Sequence, residues 1–402
     1  MTPRVDKTRA TTAVLSSAYP WHNAGQLRAV GPVIGVDRLA GDAPFGIDPF
    51  RWVNEGVAQN PNIVVAGAPA NGKSALVKAM IWWLAGAHGY RFAATDVKGE
   101  YRALAEALGV PVIDLRAGGT TRINPLEHPA GRVEFCSALA ALLIGRDLRI
   151  EERSVLTAAI RRLPDRAQVR DLVTALREPR SLVDDLGMGE TAVEAVTRDV
   201  RFAFGELLHG THAGMFDGPS TIDLATADKG LVIDVSGAGR DDMALSLSML
   251  VGTRAIDQMV EREHRPTLVV NDEAWRLTAF GDLVKWLQYS SKIGRQIAQA
   301  NMMVVHRLAE VGAQADGATA QIASRLVSDA DTHILFRQGD TADAADAVAR
   351  LNLPEACRQF LVQLHPHHCL IRCRDRYAVV RVVLSQRLRT ICDTNSAMRG
   401  EN

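Results

Sequence analysis

The octapeptide Gly67-Ala68-Pro69-Ala70-Asn71-Gly72-Lys73-Ser74 restricts what this chain can fold into more than any other segment. It fits the pattern G-x-x-x-x-G-K-[ST], a phosphate-binding loop that works only between a buried strand and the start of a helix. Both neighbours are present. Asn62–Ala66 is a strand-length apolar run, and Ala75–Trp83 reads as a helix. Gly67 and Gly72 let the backbone curl so that the N–H groups around Ala70, Asn71, Gly72, Lys73, Ser74 and Ala75 form a concave anion site. The helix that follows adds the positive end of its dipole. Lys73 is placed to meet β- and γ-phosphates, and the Ser74 hydroxyl to ligate Mg²⁺, so ATP and Mg²⁺ are the expected ligands. A glycine-rich turn that matches by chance is the plain alternative, and the flanking strand and helix weigh against it. So does composition, since Lys73 is one of only seven lysines among 46 basic residues.

At 402 residues the chain can bury a large core, as two or three domains or as one with a sizeable insertion. Basic and acidic residues balance to a net charge of zero, so a contact with nucleic acid would need a local basic surface. No apolar run reaches the roughly 18–20 residues of a membrane span. The first 30 residues show no signal-peptide pattern, and five scattered cysteines make no disulfide framework. These features lead to the expectation of a reducing, cytoplasmic location.

Residues 1–44 read as a polar, irregular arm with weak strand content around Ala29–Val36. From Asn62 strands and helices alternate: strands at Arg91–Asp96 and Val110–Leu115 enclose a helix over Glu100–Leu108. Repeated βα units imply a mostly parallel sheet with helices on both faces. From Val133 to about Leu208 the apolar spacing is helical throughout, and an all-helical insertion is expected there. Strands resume at Thr221–Leu224 and Gly230–Val235. A helix over Asp241–Glu261 leads to a strand at Thr267–Asn271. Further expected elements are a helix over Gly281–Ile293, a strand at Met302–His306, a helix at Ala320–Leu326 and a strand at Thr332–Arg337. A helix over Pro354–Leu364 and a hairpin, Cys369–Arg374 with Tyr377–Leu384, close the chain. The expected divisions are an arm and lead-in (1–60), a first part of the core (61–130), the insertion (131–215), a second part of the core (216–345), and the terminal helix and hairpin (346–402).

Leu268-Val269-Val270-Asn271-Asp272-Glu273 is an apolar strand ending in two carboxylates. Downstream of a phosphate loop this is the Walker B pattern: Asp272 completes the Mg²⁺ shell and Glu273 acts as general base on water.

Four segments in order resemble the ATPase domain of the type IV secretion (conjugation) ATPases of the VirB/TraC kind, within the HerA/FtsK group of ring-forming translocases. They are GAPANGKS, Asp96-Val97-Lys98-Gly99-Glu100-Tyr101, Ile123-Asn124-Pro125-Leu126 and Asn271-Asp272-Glu273-Ala274-Trp275. The resemblance spans roughly residues 45–390 and implies a RecA-like P-loop fold of the α/β class with the helical insertion. It also implies a homo-oligomer, a hexameric ring, that hydrolyses ATP to move protein or DNA. Its partners would be the subunits of a membrane-bound secretion complex, placing it at the inner face of the cell membrane without a span of its own, with DNA as a further candidate partner. A free-standing DNA translocase of the HerA/FtsK kind shares the same site. A nucleotide-gated scaffold is the third reading, and intact Lys73, Ser74, Asp272 and Glu273 speak against it.

The family pattern places an Arg after Walker B and, eleven positions later, a Gln. Here the pair is Arg295 and His306. The resemblance therefore nominates Arg295 as an arginine finger acting across a subunit boundary, with Arg325 and Arg337 as rivals. His306 stands where Gln is usual; it is read either as a γ-phosphate sensor or as a packed strand-end histidine. Glu100 and its neighbours Asp96 and Lys98 are read either as a site beside the nucleotide or as an ordinary capped βα turn. Three other signals have plain readings. The His365–Cys373 cluster matches no zinc spacing. Trp82-Trp83 suits packing. The insertion arginines Arg146, Arg149, Arg153, Arg161, Arg162 and Arg166 alternate with acids as on a solvated face.

Overall fold

The computed structural model describes residues 27–222, 227–238, 241–278, 281–294, 296–313, 315 and 317–392. The weak strand content expected around Ala29–Val36 corresponds to a short strand, β1 (Val33–Asp37), and a second, β2 (Ala43–Gly46), forms where none was expected. Gly35 and Pro44 mask them in the sequence, because both residue types weaken strand patterns and suit edge positions. A short helix, α1 (Pro49–Asn54), follows; its Asp48 cap accepts from the N–H groups of Phe50 and Arg51, each at 3.1 Å.

The central strands are β3 (Ile63–Ala66), β4 (Arg91–Asp96), β5 (Val112–Asp114), β6 (Gly230–Asp234), β7 (Thr267–Asp272), β8 (Gln299–Val305) and β9 (Thr332–Leu335). All seven are parallel, in the order β9-β3-β8-β7-β4-β6-β5. The sheet continues past β9 through an antiparallel edge. There β10 (His368–Cys373) pairs with β9, β11 (Arg376–Val382) with β10, β1 with β11, and β2 with β1. The mixed eleven-stranded sheet is mostly parallel and has the expected RecA-like architecture.

The central strands read as unbroken apolar runs because both faces are covered. In β3, Ile63 and Val65 pack with Leu76, Met80 and Leu84 of α2 (Lys73–His88), while Val64 and Ala66 pack with Leu335, Ala344 and Val348 on the other side. Helix α3 (Arg102–Leu108) completes the α2 face. Each fully buried Val, Leu, Ile or Met side chain among these contributes about 1.5–3 kcal/mol by leaving water.

Between β5 and β6 lie α4 (Arg132–Ile144), α5 (Ile150–Arg161), α6 (Val169–Leu176), α7 (Arg180–Leu186) and α8 (Glu190–His209). No strand interrupts them among the described residues. Helix α4 is buried along most of its length, with Phe135 edge-on to Trp286 at 5.8 Å between ring centroids. The Ile123–Leu126 segment is the joint to this layer: Asn124 donates to the Ala167 carbonyl at 2.8 Å and accepts from Leu126 N–H at 3.1 Å. The insertion arginines are heavily paired. Arg146 and Arg149 converge on the buried Glu152 at 2.6–2.8 Å, Arg153 pairs with Asp282, and Arg162 with Asp185 at 3.1 Å. Of the strand expected at Thr221–Leu224, Thr221 and Ile222 form a bend and the rest lies outside the described residues.

The second half of the chain carries α9 (Asp242–Glu263), α10 (Gly281–Gly294), α11 (Gly317–Ser328), α12 (Thr341–Leu351), α13 (Ala356–Gln363) and α14 (Gln386–Cys392). Helix α12 was not expected, although Asp340 caps it through the N–H groups of Ala342 and Asp343, each at 2.8 Å. The cysteines of the His/Cys-rich segment face inward from β10: Cys369 and Cys373 are buried and donate to the carbonyls of Val380 and Val57. Trp82 lies beneath the Arg387 guanidinium of α14, 4.9 Å away, which fits its packing role.

Candidate nucleotide-hydrolysis site

The octapeptide leaves the C-terminal end of β3 and enters α2, as the motif demands. Gly67 has φ +149° and Gly72 φ +101°. A Cβ on Gly67 would stand 2.7 Å from the Phe336 Cβ, so the loop can hug β9 only with glycine there. The Ala68 N–H donates to the Arg337 carbonyl at 2.8 Å, tying the loop to the end of that strand. Asn71 braces it from inside, its amide donating to the carbonyls of Ala68 (3.1 Å) and Pro69 (3.0 Å). Ala70 takes φ +61°, in the left-handed region.

Lys73 is buried and donates to the carbonyls of Gly67 (2.5 Å) and Ala68 (3.1 Å). Burial lowers its ammonium pKa to about 8, against the raising influence of Asp272. Its third near neighbour is His306 Nδ1, at 3.3 Å. An ammonium has no acceptor, so this contact makes Nδ1 the acceptor and puts the imidazole proton on Nε2. Nε2 faces Glu273 Oε1 at 3.4 Å. Burial, and then the nearby Lys73 charge, hold His306 below its ordinary pKa, so it is neutral at pH 7. His306 thus bridges the phosphate-loop lysine and the Walker B glutamate.

Asp272 ends β7 and Glu273 follows at φ +57°, a strained backbone that costs a non-glycine residue about 1–2 kcal/mol. The Glu273 N–H donates to Asp272 Oδ1 at 3.0 Å. Both carboxylates are buried. Burial raises the Asp272 pKa to about 6, with Lys98 pulling the other way. Glu273 behaves differently. Burial pushes its carboxyl up, but hydrogen bonds from Lys98 and Trp275 outweigh that and hold it below the ordinary range. Lys98 Nζ lies 2.6 Å from Oε1, and Trp275 Nε1 donates to Oε2 at 2.5 Å.

Lys98 and Trp275 lie in the segments that carried the resemblance, but their contact with Glu273 could not be read from the sequence. Lys98 arrives because β4 lies beside β7, with Thr95 opposite Asn271. The turn that carries it is held by the buried Asp96 carboxylate, which accepts from the N–H groups of Lys98 (3.2 Å), Glu100 (3.1 Å) and Tyr101 (2.8 Å). Gly99, at φ +70°, lets the turn close. Glu100 itself points elsewhere, with Oε2 4.0 Å from the fully buried Lys78 Nζ. Arg295 lies outside the described residues. Arg325 sits on α11, and the Arg337 backbone holds the phosphate loop.

The donor chemistry suits Mg²⁺, a hard cation that takes oxygen ligands, since an Asp272 carboxylate and a Ser74 hydroxyl both offer oxygen. The loop glycines, Lys73 and the start of α2 form a cradle for a polyphosphate.

No protein-family model matches the chain, and no curated protein is similar in sequence. Its fold is shared with solved structures. VirB4 of Thermoanaerobacter pseudethanolicus superposes with a TM-score of 0.74 at 19% identity, over 90% of this chain and 99% of that one. The plasmid coupling protein TrwB, solved in complex with ADP and Mg²⁺, gives a TM-score of 0.60 at 15% identity, over 89% and 91% of the two chains. TrwB with the non-hydrolysable ATP analogue ADPNP gives 0.59 at 14% identity. Among the described residues no helix is long and apolar enough to cross a membrane.

Proposed function

We propose that this chain is an ATP-hydrolysing ring motor that energises transport of protein or DNA through a type IV secretion (conjugation) system. The observation that carries this reading is the convergence of Lys73, His306, Glu273 and Lys98 beside the phosphate loop, in a fold shared with VirB4 and TrwB. A scaffold that only bound nucleotide would have no use for a carboxylate kept ionised and aimed.

Asp272 and Ser74 would hold Mg²⁺, which supplies charge neutralisation between the phosphates when bound. Glu273 is the general base: it takes the proton of the water that attacks the γ-phosphorus, and ADP and phosphate leave. Lys98 and Trp275 keep that carboxylate anionic and fix both its oxygens. Neutral His306 stands with Nε2 3.4 Å from the base and adds no charge of its own. Lys73 supplies a point charge for the transferred group. Arg295 from a neighbouring subunit is the proposed source of further transition-state charge in a hexameric ring at the inner face of the membrane, docked on the secretion complex.

Steady-state ATP hydrolysis, measured with and without single- and double-stranded DNA at several salt concentrations, tests the assignment. Turnover that is Mg²⁺-dependent and indifferent to DNA supports the secretion motor. Strong DNA stimulation that declines with salt supports the free-standing translocase instead. Absence of turnover would overturn both.

A further inference from the structure

The catalytic groups all lie on one flank of the phosphate loop. In the strand order β3-β8-β7-β4, His306 follows β8, Asp272 and Glu273 end β7, and Lys98 follows β4. The reacting end of a bound polyphosphate belongs on that flank. The nucleoside end must therefore leave toward the other, where β9, β10 and β11 lie.

That flank is built to receive something. The loop before β10 rests on the octapeptide: the His367 N–H donates to the Asn71 carbonyl at 2.9 Å, and the His367 carbonyl accepts from Val382 N–H at 2.9 Å. Its ring lies against the last loop glycine, since a Cβ on Gly72 would stand 2.8 Å from His367 Nδ1. His367 holds φ +62°, a conformation that costs a residue with a Cβ about 1–2 kcal/mol. Beside it opens a cleft of about 490 Å³, within the usual range for small-molecule sites. Its lining residues include His367, the apolar Leu384 and Val383, and Arg389. Val383 is 46% exposed, an apolar side chain left open to water at the cleft.

Resting on the ATPase reading above, we propose that this cleft takes the purine base of the nucleotide whose phosphates occupy Gly67–Ser74. His367 is the stacking residue, Leu384 and Val383 form the apolar wall, and Arg389 meets the polar edge. A flat aromatic ring suits an imidazole face and an apolar wall, and the cleft adjoins the loop through His367 itself.

The test is calorimetric binding of Mg·ATP and of inorganic tripolyphosphate, which has the phosphates without the nucleoside. Wild-type protein is expected to bind ATP at least about tenfold tighter. His367→Ala and Leu384→Asp should each reduce that advantage to about threefold or less and leave tripolyphosphate affinity unchanged; His367→Phe should restore it. An ATP advantage untouched by the first two variants overturns the subsite. So does an equal loss of both ligands in His367→Ala, which would make His367 a prop of the loop. Failure of wild-type protein to bind either ligand would instead bring down the ATPase reading, and the subsite with it.

Discussion

The two flanks of β3 are made of different material. Toward β8, β7 and β4 the side chains are charged and cross-connected: Lys98 and Trp275 grip Glu273, and His306 joins Glu273 to Lys73. Toward β9 and β10 the loop is held by backbone bonds from Ala68 to Arg337 and from His367 to Asn71, next to an open cleft. One flank fixes charge where bonds change; the other offers shape. Removing a side chain from the first should therefore cost turnover, and removing one from the second should cost ligand discrimination.

The largest expected loss is at the shared loop. Lys73→Ala should abolish measurable turnover and weaken nucleotide binding, checked by phosphate release and calorimetry. Lys98→Met comes next, with turnover down about 10- to 100-fold and ATP affinity little changed. The pH profile is the sharper readout. Lys98 holds the Glu273 pKa down, so without it Glu273 stays protonated to higher pH and the acidic limb of the rate profile must move upward. An unmoved limb would mean that Lys98 does not act on the base. At His306 the expectation is smaller: His306→Ala should lose about tenfold, whereas His306→Gln, which can still accept and donate, should remain within about threefold.

The smallest effect lies away from both flanks. Asp257 is buried beneath the sheet, accepting from Ser290 at 3.0 Å and Gln299 at 3.2 Å. Burial raises its pKa from 3.8 to about 6, against those hydrogen bonds. A folded-state pKa above the unfolded one means that the native state is favoured while the group is protonated and is progressively penalised as pH rises through 3.8 to about 6. Asp257→Asn should accordingly raise Tm by about 2–4 °C at pH 8, and the gain should vanish near pH 4. Turnover should not change, which separates this buried network from the catalytic flank.

The flanks also differed in how legible they were. The apolar runs of β3 and β7 and the residues at their ends are local signals, so the loop, Asp272 and Glu273 could be read directly. Lys98 reads only as one of a group beside the nucleotide: it meets Glu273 because β4 and β7 are neighbours, a pairing that appears once the strand order is known. The β10–β11 hairpin of the antiparallel edge was expected, but the outer two strands were harder still. Strands of four and five residues containing Pro44 and Gly35 carry too little alternation to stand out, and β1 finds its partner β11 more than 300 positions away. The histidines before β10 match no zinc spacing, and only the fold places His367 on the phosphate loop. Helix α12 is a different case. Its Asp340 cap and the inward spacing of Ala344, Ala347, Val348 and Leu351 were present in the sequence, but the alanine-rich stretch offered little contrast between its faces.

The central claim is that Glu273 is a base held ionised beside a phosphate-binding loop. Parallel measurement of ATP affinity and multiple-turnover hydrolysis in Glu273→Gln tests it most directly. The account predicts ATP affinity within about threefold of wild type and turnover reduced at least about 100-fold, because the amide keeps the side chain's size and one accepting oxygen but takes no proton. Turnover within about fivefold of wild type would contradict it.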